Sequence, residues 1–366
     1  MTYRKWLIAT LLLTLTFAVL TVIVNMVVDH HAVRLSLFSG KKEIRRTVYP
    51  DGINQHIFNP EYVFRRPDEF DSFLFGSSRT SQIDVAKISA GKFYNMSYSL
   101  GIPAQHLAIV KAFLKKGIKI KFIVVGLDDF CFNLARPDCE GTLIRIMHPE
   151  AEGPGRLKIF FSYFFRKPER LELSRWKNRV LKGDMKGAFT LNSEGLVLGW
   201  SDKDRFIEQT GKPVFEYKTS KYKPFVYNRK KLYDALVVIE ELTLLARDHN
   251  FKLIFFINPF YEQIYINNAE PLFRVKERLA KLTDYYDFSG FNQITTDPMN
   301  YYEESHYRFR VGDMITDRIF GDGKNTPDGF GFLVTAQNVE SHLKKQKNNW
   351  KNISKNTVFN ELTVCG

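Results

Sequence analysis

The segment WLIATLLLTLTFAVLTVIVNMVV, Trp6 to Val28, constrains this chain more than any other. It holds no ionisable residue, and as a helix rising 1.5 Å per residue it reaches about 34 Å, enough to cross a bilayer. A cleaved signal peptide has a shorter apolar region followed by a small-x-small site, whereas Asn25, Met26 and two valines close this one, so it reads as an uncleaved anchor. Arg4, Lys5 and the terminal amine lie closer to it than Arg34, Lys41, Lys42, Arg45 and Arg46. Residues 1–5 are therefore expected in the cytoplasm and the large remainder outside it, held to the cell membrane by a single pass.

Past the anchor, a chain of 366 residues retains enough length to bury a substantial core. Lys and Arg number 53 against 40 Asp and Glu, a net charge of +13. On a soluble protein such an excess suggests nucleic acid; on an external, tethered domain it suits anionic lipid headgroups or an acidic glycan, and no nucleic-acid partner is expected. Cys131 and Cys139 are close enough in sequence to pair in an oxidising compartment, which leaves Cys365 over. The chain has no C-x-x-C, no H-E-x-x-H and no histidine pair at ligand spacing in its main domain, so neither a metal nor another cofactor is expected.

Residues 29–69 read as a linker. From Phe70 a strand–helix rhythm sets in: FDSFLF as a strand with a helix through Ile83 to Ile88, KFYNMSYS as a second strand, and His106 to Gly117 as a helix with a glycine C-cap. IKIKFIVV supplies a β-branched strand ending at Gly126, RKKLYDALVVIEELTLLARDHN a long amphipathic helix, and KLIFFINPF a further strand. Apolar strands alternating with helices predict an α/β domain over 70–330, with a mainly parallel sheet covered on both faces. The rhythm breaks at about 135–225, a basic and aromatic stretch read as an inserted helical region or lid. Residues 331–366 are expected to hold a C-terminal helix and a loosely ordered polar tail.

In open α/β sheets ligands bind beyond the carboxyl ends of the strands. The polar residues there are Gly76-Ser77-Ser78-Arg79 after the first strand, Asn95, Ser97 and Ser99 up to Gly101 around the second, Asp128 and Asp129 after the third, and Asn258 after the fourth. A serine nucleophile needs a base, and the base needs an orienting acceptor. Of eight histidines, His30 and His31 abut the membrane, His56 lies in the linker, His148 in the insertion and His249 and His342 on helix ends. Of the two that remain, His106 and His306, only His306 in NYYEESHYRFRVGDM has carboxylates at its side, Glu303 and Glu304. The spacing Glu303-x-x-His306 lets the acid take one imidazole nitrogen while the other faces the serine. Each motif also has a plainer reading, a surface ion pair for Glu303-x-x-His306 and a capped turn for Gly-Ser-Ser.

FGSSR and YYEESHYR together resemble the two catalytic blocks of the SGNH/GDSL hydrolase superfamily, G-D-S after the first strand and D-x-x-H near the domain's end. More particularly they resemble its membrane-anchored branch, which includes DltD and the alginate O-acetylation proteins. The resemblance covers about Phe70 to Gly321 and implies a three-layer α/β/α, flavodoxin-like fold. It implies Ser78 as nucleophile, His306 as general base and Glu303 in the place of the usual aspartate. Gly101 is the counterpart of the second block's oxyanion-hole glycine, and Asp128 stands where the third block has an asparagine. An ionised carboxylate cannot donate to an oxyanion. That leaves three alternatives: Asn95 or Asn258 donates instead, Asp128 orients Arg79 through a charge-assisted bond, or the site has lost catalysis and only binds.

The expected function is thus a membrane-anchored, extracytoplasmic serine esterase or O-acyltransferase acting on an anionic cell-envelope polysaccharide or teichoic-type polymer. As a transferase outside the cytoplasm it would need its acyl group relayed by a membrane-bound acyltransferase partner, as the resemblance implies. The alternative is a catalytically inactive glycan-binding or assembly scaffold. Nucleotide binding is disfavoured, because no G-x-G-x-x-G is present and GDGKNT around Lys324 lacks the earlier glycine and following Ser/Thr of a P-loop.

Overall fold

The computed structural model describes residues 2–39, 48–49, 52–134, 142–183, 189–215 and 228–363. They form two compact units, one of Met1–Arg65 with Glu140–Leu191, the other of Arg66–Cys139 with Asn192–Gly366. The expected 135–225 insertion is therefore divided between them, and its residues 135–141, 184–188 and 216–225 lie outside the described residues.

The first unit starts with α1 (Tyr3–Val28), which alone among the described helices is long and apolar enough to cross a membrane. The stretch expected to be a linker carries α2 (Gln55–Phe64), buried from Gln55 to Val63. Asn54 caps it by accepting from the Ile57 N–H, while its own amide donates to Leu143 O and Ile146 O at 2.9 and 2.8 Å. The unit is completed by β1 (Val48–Tyr49) paired antiparallel with β5 (Phe189–Thr190), and, numbering along the whole chain, by α4 (Arg156–Phe164) and α5 (Arg170–Lys182). The basic run Lys41 to Arg46 lies outside the described residues.

In the second unit the apolar runs become a six-stranded sheet in the order β3 (Phe93–Asn95), β2 (Ser72–Phe75), β4 (Phe122–Leu127), β6 (Lys252–Ile257), β7 (Tyr285–Asp287), β10 (Phe332–Val334). All neighbours run parallel except β10, which joins β7 antiparallel. Each face of the sheet is apolar because alternate residues point opposite ways. Leu74, Val124 and Phe256 share one cluster with Val311 and Ile315 of α9 (Phe309–Phe320). Phe73 and Phe75 turn the other way, onto Phe113 of α3 (Pro103–Lys115), at ring-centroid distances of 4.7 and 6.5 Å. The chain adds β3 on one side of β2 and β4 on the other, so the carboxyl ends of β2 and β4 open onto a switch-point crevice.

Two local readings differ from the structure. The segment after β2 forms 3-10 turns, Thr80–Gln82 and Val85–Lys87, in place of an α-helix. There the Ser81 hydroxyl bonds Ser78 O and the Asp84 carboxylate takes the Ala86 N–H, local bonds that compete with helical ones. After Lys347, where the sequence suggests a loose tail, the chain continues in α10 (Val339–Thr363). This helix is docked through charge: Lys276 of α8 (Glu262–Leu279) and Asp287 at the end of β7, both buried, pair at 2.8 Å, and Asp287 also accepts from His342 of α10 at 2.8 Å. The polar sequence of α10 gives no sign of partners 55 residues upstream.

Packing about Phe113 fixes the spacing of β2 against α3, so Phe113→Ala is expected to cost about 3–5 kcal/mol. Phe332, which is 42% exposed on β10, should tolerate alanine with little loss. Denaturant unfolding of the two variants in detergent measures the difference.

Candidate active site

The crevice at the end of β2 begins with a turn forced by close approach. A Cβ on Gly101 would stand 2.4 Å from the Gly76 carbonyl oxygen, so the two glycine segments touch backbone to backbone. Ser77 then turns inward, buried, and its hydroxyl accepts the Arg79 N–H at 3.1 Å. Ser78 faces outward and is half-buried. Adjacent serines thus take different work: one ties the turn, the next presents its hydroxyl to the crevice.

His306 reaches that hydroxyl from 228 residues away, its Nε2 at 2.9 Å from Ser78 Oγ. It begins β9 (His306–Tyr307), a short strand paired antiparallel with β8 (Tyr301–Glu303), and the tight connection brings Glu303 Oε1 against His306 Nδ1. A carboxylate only accepts, so Nδ1 carries the proton and Nε2 keeps a lone pair directed at the serine. Burial raises the Glu303 carboxyl, but the bond and charge of His306, the Ser305 N–H at 3.1 Å and Arg79 outweigh it and hold the group below the ordinary glutamate range. Glu303 is therefore an anion at neutral pH, placed to stabilise an imidazolium.

Arg79 joins the two halves. Its Nε donates to Ser305 O at 3.0 Å, in the loop between Glu303 and His306, while its Nη1 meets Asp128 Oδ1 at 2.8 Å and Asp129 Oδ1 at 3.0 Å. All three side chains are buried. Burial works against the guanidinium's charge, and the two carboxylates outweigh it, raising the Arg79 pKa further. Burial also raises the Asp128 carboxyl, against the opposing pull of Arg79. Asn268 of α8 donates to Asp129 Oδ2 at 2.8 Å, and Phe260 lies under the guanidinium at 5.1 Å.

The other residues expected at the site surround the turn without aiming at Ser78. Asp128 Oδ1 accepts from both Arg79 and Asn258 Nδ2, the latter at 3.1 Å. Asn258 Oδ1 accepts from the Tyr307 hydroxyl at 3.1 Å. Asn95 donates to Thr80 O and Ile83 O, both at 3.1 Å, which pins the 3-10 turns after Ser78. The Gly101 N–H donates to Tyr98 O at 3.2 Å, so Gly101 acts here through its close approach to Gly76. The Ser78 N–H, by contrast, has no acceptor among the described residues. Cys131 is buried as a free thiol donating to Gly101 O at 3.3 Å, and Cys139 and Cys365 fall outside the described residues. Among the described residues no three His, Cys, Asp or Glu side chains converge as metal ligands would.

Nothing in the sequence marks Trp200. Its indole lies 5.2 Å from the His306 ring and stacks flat on Tyr302 at 5.3 Å, with Lys203 Nζ 4.5 Å above it. The helix it introduces, α6 (Ser201–Thr210), is fixed by Asp204, whose Oδ1 accepts from Tyr302 Oη at 2.8 Å and Arg308 Nε at 2.7 Å. The only sequence signal is Arg308, a cation two residues past His306; Trp200 meets Tyr302 and His306 across about a hundred residues with no local pattern. Neither the protein-family models nor the curated proteins compared with this chain match it.

These charges set two outcomes. Arg79→Met removes the cation that faces two buried carboxylates and is expected to cost about 3–5 kcal/mol in denaturant unfolding. Glu303 has a folded pKa below its unfolded value of about 4.3, so its contribution is present above that pH and is lost as pH falls through the folded value. The stability curves of wild type and Glu303→Gln should therefore differ at neutral pH and converge in acid.

Proposed function

We propose that this protein is a membrane-anchored serine acyl-transfer enzyme of the SGNH hydrolase type, working outside the cytoplasm as an esterase or O-acyltransferase on an anionic envelope polymer. The observation that carries the reading is the file of three polar groups, Ser78 Oγ at 2.9 Å from His306 Nε2 and Glu303 bound to His306 Nδ1, at the carboxyl end of β2. Nucleophile, base and orienter in this relation are what acyl transfer through a serine requires. The anchor is α1, and the short flank with Arg4 and Lys5 favours the orientation with the N terminus inside.

In the reaction so read, Ser78 Oγ attacks an ester carbonyl while His306 Nε2 takes its proton. The imidazolium is balanced by Glu303, and the Ser78 N–H donates to the developing oxyanion. Collapse expels the alcohol, which takes the proton back from His306, and leaves an acyl ester on Ser78. Water or a sugar hydroxyl, deprotonated in turn by His306, then removes the acyl group. Trp200 covers one side of the imidazole and limits water there, and the chain's net charge of +13 suits an acidic polymer. Transfer in place of hydrolysis would draw its acyl group from a membrane-bound acyltransferase.

One observation favours the rival reading of a binding scaffold: the Gly101, Asn95 and Asn258 amides are engaged within the protein, leaving the Ser78 N–H as the described donor to an oxyanion. A fluorophosphonate probe separates the two. Labelling at Ser78 is expected in wild type, absent in Ser78→Ala, and slowed on the order of 10²–10⁴-fold in His306→Ala. A folded wild type that takes no label would favour the scaffold.

A further inference from the structure

We infer that the outer face of α4 and α5 lies in the headgroup layer of an anionic membrane, beside the point where α1 leaves the bilayer. The inference rests on α1 crossing the bilayer and is independent of the chemistry at Ser78.

The position comes from Asn25, a buried amide in the last turn of α1. Its Nδ2 donates to Phe164 O at 2.9 Å and to Arg166 O at 2.7 Å, fixing the end of α4 to the end of the apolar helix. At 1.5 Å per residue, 26 residues of α1 reach about 39 Å, against about 30 Å of hydrocarbon, so Asn25 falls at the bilayer surface. The inner side of α4, Ile159, Tyr163 and Phe164, packs in a cluster that also takes in Val22 and Met26 of α1. A helix held against those residues cannot stand far from the headgroups.

Its outer side is apolar as well. Leu157, Phe161 and Phe165 recur at four-residue spacing, one stripe on a helix, and are 71%, 51% and 54% exposed. Val180 and Leu181, at the end of α5, are exposed apolar residues as well. Around them, between Arg156 and Lys182, stand nine lysines and arginines against two glutamates, and Lys158, Lys167, Arg170, Lys177 and Lys182 are exposed. Both glutamates pair with Arg166, at 2.6 Å for Glu172 and 3.2 Å for Glu169, which leaves these exposed cations without an acidic neighbour in the segment. Aromatic and aliphatic side chains set among cations are the pattern of a helix lying in an interface, its apolar stripe among the acyl ends and its cations among phosphates. A protein partner fits less well, since lysine is depleted from the cores of protein interfaces.

The test uses the full chain in nanodiscs of phosphatidylcholine with and without phosphatidylglycerol. A photoreactive benzoylphenylalanine replaces Phe161 or Phe165, with Leu13 in α1 as the lipid-facing control and Tyr233 of α7 (Arg229–Asp248), 64% exposed, as the aqueous control. Lipid adducts are expected at Phe161 and Phe165 well above the Tyr233 level, with phosphatidylglycerol enriched roughly threefold over its mole share. Adducts no more frequent than at Tyr233, adducts to protein in place of lipid, or no preference for the anionic lipid would overturn the proposal. No lipid adduct at Leu13 would overturn the anchor, and this surface with it.

Discussion

Arg79 is the constraint on which the site depends. It is the residue next to the serine, yet its Nη1 lies between the carboxylates that come after β4 and its Nε holds the carbonyl of Ser305, inside the loop that carries Glu303 and His306. The serine turn, the third strand of the chain's parallel core and the loop before His306 are therefore fixed by one planar cation. A lysine could not replace it, because the contacts need separate N–H groups diverging from one plane. With two carboxylates and one guanidinium the buried cluster holds more negative than positive groups, and Asn258 and Asn268 donate to Asp128 Oδ1 and Asp129 Oδ2. Removing the cation alone would leave that buried charge without its counter-ion.

A similar device holds the other end of the imidazole. Asp204 takes the Tyr302 hydroxyl and the Arg308 guanidinium at once, which seats Trp200 on Tyr302 and against His306. His306 is thus oriented by a carboxylate at Nδ1, flanked by an indole, and pointed at a serine whose turn is itself held by Ser77 and by the contact of Gly76 with Gly101. Buried side chains hold the geometry, while Ser78, His306 and Glu303 stay partly open to the crevice.

How much of this is legible in the sequence depends on range. The α/β alternation is plain because Phe73, Leu74 and Phe75, or Ile123 to Val125, carry their fold in consecutive apolar residues. Ser78, Glu303 and His306 are legible because each sits in a short motif that the strand–helix rhythm sets apart. Asp128 can be placed after its strand but not assigned, since its meaning comes from Arg79, 49 residues away. Trp200 and Asp204 are hidden in a basic stretch that reads as one insertion, and the part of α10 past Lys347 reads as a loose tail because the charges that dock the helix, Lys276 and Asp287, lie on other elements. The turn after β2 reads as helix because the serine and aspartate side chains that compete for its backbone resemble helix caps.

The most direct measurement is peptide mass spectrometry of the full-length protein quenched during turnover of an activated acetyl ester. An acetyl group on Ser78 in wild type, accumulating and then decaying, and absent in His306→Gln, is the predicted result. A folded wild type that shows no acetyl group on Ser78 at any time would contradict a serine acyl-transfer mechanism.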